Sequence, residues 1–109
     1  MSKYLLIVLL VGVWSCESSQ KLNVSLTYSR GVFHIINDDD FTWEDCECKI
    51  NNEWSIKKTF KPKNKYEIYT SKFTKDSGER FNSNTHRVNK MNIKCKILDG
   101  RIGYWDVIW

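Results

Sequence analysis

The sequence predicts an all-β protein, a small immunoglobulin-like β-sandwich of seven or eight strands behind a cleaved N-terminal signal peptide. Three observations carry the prediction. Apolar residues beyond position 21 recur at every second place, as on half-buried strands. Turn residues break these runs at intervals of about 8 to 12 positions, the spacing of a sandwich. No stretch carries the apolar stripe of an amphipathic helix. A small closed barrel is the alternative arrangement of the same strands. The chain has 109 residues, 41% hydrophobic and 14% aromatic, with one Pro and a net charge of +4. That composition suits one domain and excludes a disordered or linker sequence.

Met1 to Val13 reads MSKYLLIVLLVGV, with one charge, Lys3, ahead of an uncharged and mostly aliphatic run from Tyr4 to Val13. The run is about half the roughly 20 residues a membrane-spanning helix needs. A polar stretch, Glu17-Ser18-Ser19-Gln20-Lys21, follows it without a positive stop-transfer flank, so the segment reads as an export signal. It is apolar all round, unlike a core helix of a small domain. Val13-Trp14-Ser15-Cys16 resembles the lipobox of bacterial lipoproteins, where an aliphatic, a variable and a small residue precede the Cys that becomes the mature N-terminus. Trp14 is bulkier than the residue usual at its place. The resemblance ends at Cys16 and implies that the Cys16 sulfur, as nucleophile, takes a diacylglyceryl group before the leader is removed.

On that reading residues 1–15 are the signal peptide, 16–21 the lipidated Cys and a polar tether, and 22–109 the sandwich. The protein is then exported and held at the cell membrane or outer membrane, since two or more acyl chains anchor firmly where one binds reversibly. The same residues also pass as an ordinary signal-peptidase site, which would release a secreted or periplasmic soluble binding or inhibitor domain.

Leu22, Val24, Leu26 and Tyr28 alternate with polar residues as a first strand, and Ser29-Arg30-Gly31 turns the chain. Phe33 and Ile35 mark the next strand, closed by the polar turn Asn37-Asp38-Asp39-Asp40. From Phe41 to Asn51 the apolar positions are Phe41 and Trp43, then Cys46, Cys48 and Ile50, so their parity changes across Glu44-Asp45, which predicts a bulge or break. Asn51-Asn52 permits a tight turn into Trp54 and Ile56. Tyr66, Ile68 and Phe73 continue the strand pattern, and Lys75-Asp76-Ser77-Gly78 turns before Glu79-Arg80-Phe81. Met91, Ile93, Cys95 and Ile97 make one arm of a last hairpin, with Asp99-Gly100 as its turn and Ile102 to Trp109 returning. Alternation puts Trp105, Val107 and Trp109 on one face, where they fill the core or form an aromatic strip. The segments 33–37, 41–43 and 78–81 are loosely similar to small sandwich domains of uncharacterised bacterial exported proteins, a resemblance that implies no activity.

Cys46 and Cys48 share a strand face, and Cys95 lies on the apolar face of the penultimate strand. We expect a disulfide between Cys48 and Cys95, worth about 4 kcal/mol on chain-entropy grounds. Three buried thiols are the alternative. Asp38, Asp39, Asp40 and Asp45 are calcium candidates, because hard cations collect carboxylate oxygens from a flexible loop, with a solvated turn as the plainer reading. An in-strand Cys46-x-Cys48 lacks zinc-knuckle geometry, so no metal site and no cofactor are expected.

Lys57, Lys58, Lys61, Lys63 and Lys65 either touch an anionic surface or guard an exposed edge strand, the commoner use. Without aromatic interleaving they do not form a nucleic-acid platform. Asn23-Val24-Ser25 matches a glycosylation sequon, which matters only in a eukaryotic secretory chain. His34 and His86 accompany no nucleophile motif, so no enzyme is expected, with a small hydrolase the least favoured reading. The expected partners are a membrane, through the anchor, and an envelope protein or ligand whose identity the sequence leaves open.

Overall fold

The computed structural model describes residues 19–109; Cys16 and the leader lie outside the described residues. Eight strands form a β-sandwich of two sheets. They are β1 (Ser19–Lys21), β2 (Val24–Ser29), β3 (Val32–Asn37), β4 (Trp43–Ile50), β5 (Trp54–Phe60), β6 (Lys65–Tyr69), β7 (Lys90–Lys96) and β8 (Ile102–Ile108). The larger sheet has the order β1-β8-β7-β4-β5 and the smaller β2-β3-β6. Every pairing is antiparallel except that of β1 with β8. The inward faces supply one core. Phe33 and Ile35 come from the smaller sheet, and Trp43, Cys46, Cys48, Ile50, Met91, Ile93 and Cys95 from the larger.

The first departure from expectation is at the start. Ser19–Lys21 is expected in a polar tether and instead forms β1, so the sandwich already includes residues ahead of Leu22. The open edge of β8 and the burial of Leu22, 1% exposed, draw this segment in. Gly103 on β8 makes the approach possible. A Cβ there would collide with the Leu22 side chain and stand 3.0 Å from Ile97 Cγ2. Gly103→Ala is therefore expected to lower stability by about 1–3 kcal/mol, read from the urea midpoint.

Past Leu22 the chain crosses from the larger sheet to the smaller and enters β2. Arg30 and Gly31, at φ 51° and 77°, join β2 to β3 in a two-residue turn whose positive dihedrals match the twist of a hairpin. The parity change at Glu44-Asp45 is a bulge. The register of β4 shifts there against both neighbours, and Asp45 has φ 47°. The bulge turns Trp43 and Cys46 to the same interior.

Between β6 and β7 the expected strand signals are only partly realised. Thr70–Lys72 is a single 3₁₀ turn, and Thr74 and Arg80 form isolated bridges. Phe73, Phe81 and Val88 from this stretch are buried and plug the core. Strand directions sort the connections to two ends. Turns 38–42, 61–64 and 97–101 gather where β1 starts, here the near end. Turns 30–31 and 51–53, the stretch 70–89 and Trp109 gather at the far end.

Candidate functional site

The bridge joins Cys46, not Cys48, to Cys95, with the two Cα atoms 4.0 Å apart. This corrects the expected Cys48–Cys95 pair. Cys48 pairs across to Ile93 and Glu44 to Lys96, which leaves Cys46, beside the bulge, as the residue facing Cys95. The bond links neighbouring strands of one sheet, unlike the inter-sheet bridge of antibody domains. Cys48 remains a free, buried thiol whose pKa burial pushes up to about 12, which holds it protonated at neutral pH.

The aspartates expected as calcium candidates do not converge. Asp39 turns inward and is 5% exposed. Its carboxylate accepts hydrogen bonds from the Asn23 backbone N–H at 3.2 Å, Asn23 Nδ2 at 2.6 Å and Trp43 Nε1 at 3.0 Å. Asp39 N–H donates to Asn37 Oδ1 at 2.8 Å, while buried Asn37 donates through Nδ2 to the Phe41 and Phe60 carbonyls at 2.9 and 3.0 Å. This knot locks the near-end turn to both sheets. Asp38 accepts from Ser25 Oγ, Asp40 pairs with Lys63 at 3.4 Å, and Asp45 pairs with Lys96 at 3.7 Å. Among the described residues no three His, Cys, Asp or Glu side chains gather as a metal site. The sequon residue Asn23 belongs to the same knot.

The lysines lie along β5, the 61–64 turn and β6, strands that end their respective sheets. Lys57, Lys61, Lys63 and Lys65 are exposed. Lys58 extends over the Tyr66 ring, with Nζ 5.1 Å from its centroid, and Lys63 Nζ donates to the Asp38 carbonyl at 2.7 Å. Lys57, Lys58 and Lys65 therefore lie on edge strands, where charge discourages strand pairing, and Lys61 and Lys63 on the turn between them.

The far end holds a site that sequence reasoning passed over. Asn51, at φ 52°, is a clamp. Its Oδ1 accepts from Asn89 and Lys90 N–H at 2.8 and 3.0 Å, and its Nδ2 donates to the Arg87 carbonyl at 2.8 Å. The Asn82 carbonyl accepts from Thr85 and His86 N–H, closing the 82–86 turn. The His86 ring packs edge-on to Trp54 at 5.0 Å between centroids. Two open hollows of about 430 and 490 Å³ flank this loop and share Thr85, His86 and Arg87. The 82–89 stretch has no periodicity to betray it, and its only signal is a concentration of turn-forming Asn residues. Asn51→Ala removes three hydrogen bonds and a side chain that tolerates positive φ. A loss of about 2 kcal/mol is expected, with faster hydrogen exchange at Asn89 and Lys90.

His34 sits on the outer face of the smaller sheet, its Nδ1 3.8 Å from Glu67 Oε2, and thus apart from His86 in the far-end loop. Trp105 and Val107 pack against the core, and Trp109 lies over Tyr28 and Phe33 at 6.1 and 6.3 Å. Trp105 and Val107 thus fill the core, while Trp109 covers its edge and stays half-exposed. No protein-family model, curated protein or solved structure matches the chain.

Proposed function

We propose that the chain is a lipid-anchored cell-envelope protein whose β-sandwich serves as a binding or structural module and carries out no catalysis. One observation carries the reading, the motif Val13-Trp14-Ser15-Cys16 placed directly behind a short apolar run. Two features of the folded part support it. The Cys46–Cys95 bridge suits an oxidising compartment outside the cytosol. Ser19 of β1 is already part of the sandwich and stands close behind Cys16 in sequence, so a lipid on Cys16 would hold the near end against the membrane. The far end, with its two hollows around His86 and Arg87, would then face away and meet the partner. No helix among the described residues is long and apolar enough to cross a membrane.

The competing reading, a released soluble binding or inhibitor domain, uses the same leader and the same bridge. Radiolabelled palmitate in a producing cell separates the two. Incorporation into the wild-type chain, lost in Cys16→Ala together with membrane association, supports the anchor. An unlabelled protein that fractionates as the variant does refutes it.

A further inference from the structure

We infer that β2 is a pairing edge for a second copy of this chain, joining two smaller sheets into one continuous antiparallel sheet of six strands. A sheet edge presents unpaired backbone groups and is ordinarily blunted by charge, shortness or cover. The other edges of this sandwich are blunted. β5 carries Lys57 and Lys58 and is bridged at Ser55 by Thr74, β6 is short and carries Lys65 and Glu67, and β1 is three residues long. β2 has the sequence VSLTYS, with no charge, Pro, Gly or bulge over its length.

The hydrogen-bond parity follows from the hairpin. The two-residue turn makes Ser29 and Val32 a bonded pair, so the backbone groups of Ser29, Thr27 and Ser25 face β3. Those of Val24, Leu26 and Tyr28 face outward, and among the described residues none of these six groups has a backbone partner outside the sheet. The side chains of the same residues point inward yet are only half-buried, whereas Phe33 and Ile35 beside them are fully covered. A further strand would shield those flanks.

Charge selects the occupant. Arg30 stands at one end of β2. Asp38 stands at the other, held by Ser25 Oγ and by its own N–H to the Asn23 carbonyl. Neither side chain has an ion-pair partner among the described residues. A two-fold axis at Thr27 sets Leu26 of one copy opposite Tyr28 of the other and Arg30 opposite Val24, one strand away from the other copy's Asp38, whose carboxylate leans back over β2 onto Ser25 Oγ and so toward the Arg30 side chain. One strand thus complements itself in hydrogen bonds, apolar flanks and charge. The axis is normal to the sheet and points the near ends of the two copies in opposite directions, so the pairing is one of copies that do not both stand on the near end. The inference does not depend on the anchor.

Sedimentation of the purified full-length chain in mild detergent tests it. A reversible dimer is expected. Thr27→Lys places two ammonium groups face to face at the axis and should weaken dimerisation at least tenfold, with an unchanged circular dichroism spectrum showing that the fold persists. Arg30→Asp and Asp38→Arg should each weaken it, and the double exchange should restore it. A wild-type monomer at every concentration overturns the inference, as does a dimer indifferent to all four variants.

Discussion

Reducing the Cys46–Cys95 bridge is expected to lower the stability of the sandwich by about 4 kcal/mol. The bond closes a loop with a sequence separation of 49, and releasing such a loop enlarges the unfolded ensemble by roughly that much on chain-entropy grounds. For a domain of this size, which buries only about 60–65% of its unfolded surface, that is a large part of a total of about 5–15 kcal/mol. Urea midpoints of the Cys46→Ala, Cys95→Ala and double variants measure it. The single variants should lose as much as the double, since each breaks the same bond. Cys48→Ala, which removes only a buried sulfur, should cost far less, about 1 kcal/mol. The native protein should also show one thiol that resists alkylation at neutral pH and reacts once the chain is unfolded, because burial holds Cys48 protonated with a pKa of about 12. A bridge to Cys48 would exchange the behaviour of Cys46 and Cys48 in every one of these measurements.

Asp39→Ala is expected to cost about 3 kcal/mol. The substitution removes the acceptor of three hydrogen bonds and leaves Trp43 Nε1, on a side chain with no exposed surface, without a partner. A buried donor left unpaired is penalised more than the average bond is worth, so most of the loss should trace to the indole. Trp43→Phe removes that donor and provides the control. In a double-mutant cycle the two changes together should cost clearly less than their sum. Additive losses would mean that Asp39 acts only through Asn23. Asp38→Ala and Asp40→Ala, on exposed side chains of the same run, should change stability by less than about 0.5 kcal/mol.

These two cases also mark where the sequence stops informing. Alternation assigned the faces well. It put Phe33, Ile35, Ile50, Met91 and Ile93 inside, marked the irregularity at Glu44-Asp45, and set Trp105 and Val107 on one face, which the structure packs against the core. Register is another matter. Cys46 and Cys48 share one face, and sliding β7 by two residues along β4 leaves every side chain on its own side while exchanging the cysteine opposite Cys95. What fixes the register is long-range, including the Asn51 clamp that seats Lys90 beside the 51–53 turn.

The acidic turn misled for a related reason. Three consecutive aspartates look alike in sequence, and only the position of Trp43 and Asn23 in the fold decides that the middle one is an internal acceptor. Ser19–Lys21 has the composition of a tether and forms a strand because β8 offers it an edge and Gly103 offers Leu22 space. The far-end loop was illegible because its order comes from backbone bonds to Asn51 and Asn82 rather than from any apolar repeat.

The account's central claim, that this sandwich is held to a membrane by lipid on Cys16, is tested most directly by the mass of the mature N-terminal peptide from a native producer. The account predicts a chain beginning at Cys16 with the added mass of a diacylglyceryl group. A mature chain that begins at or before Cys16 with its thiol unmodified would contradict it.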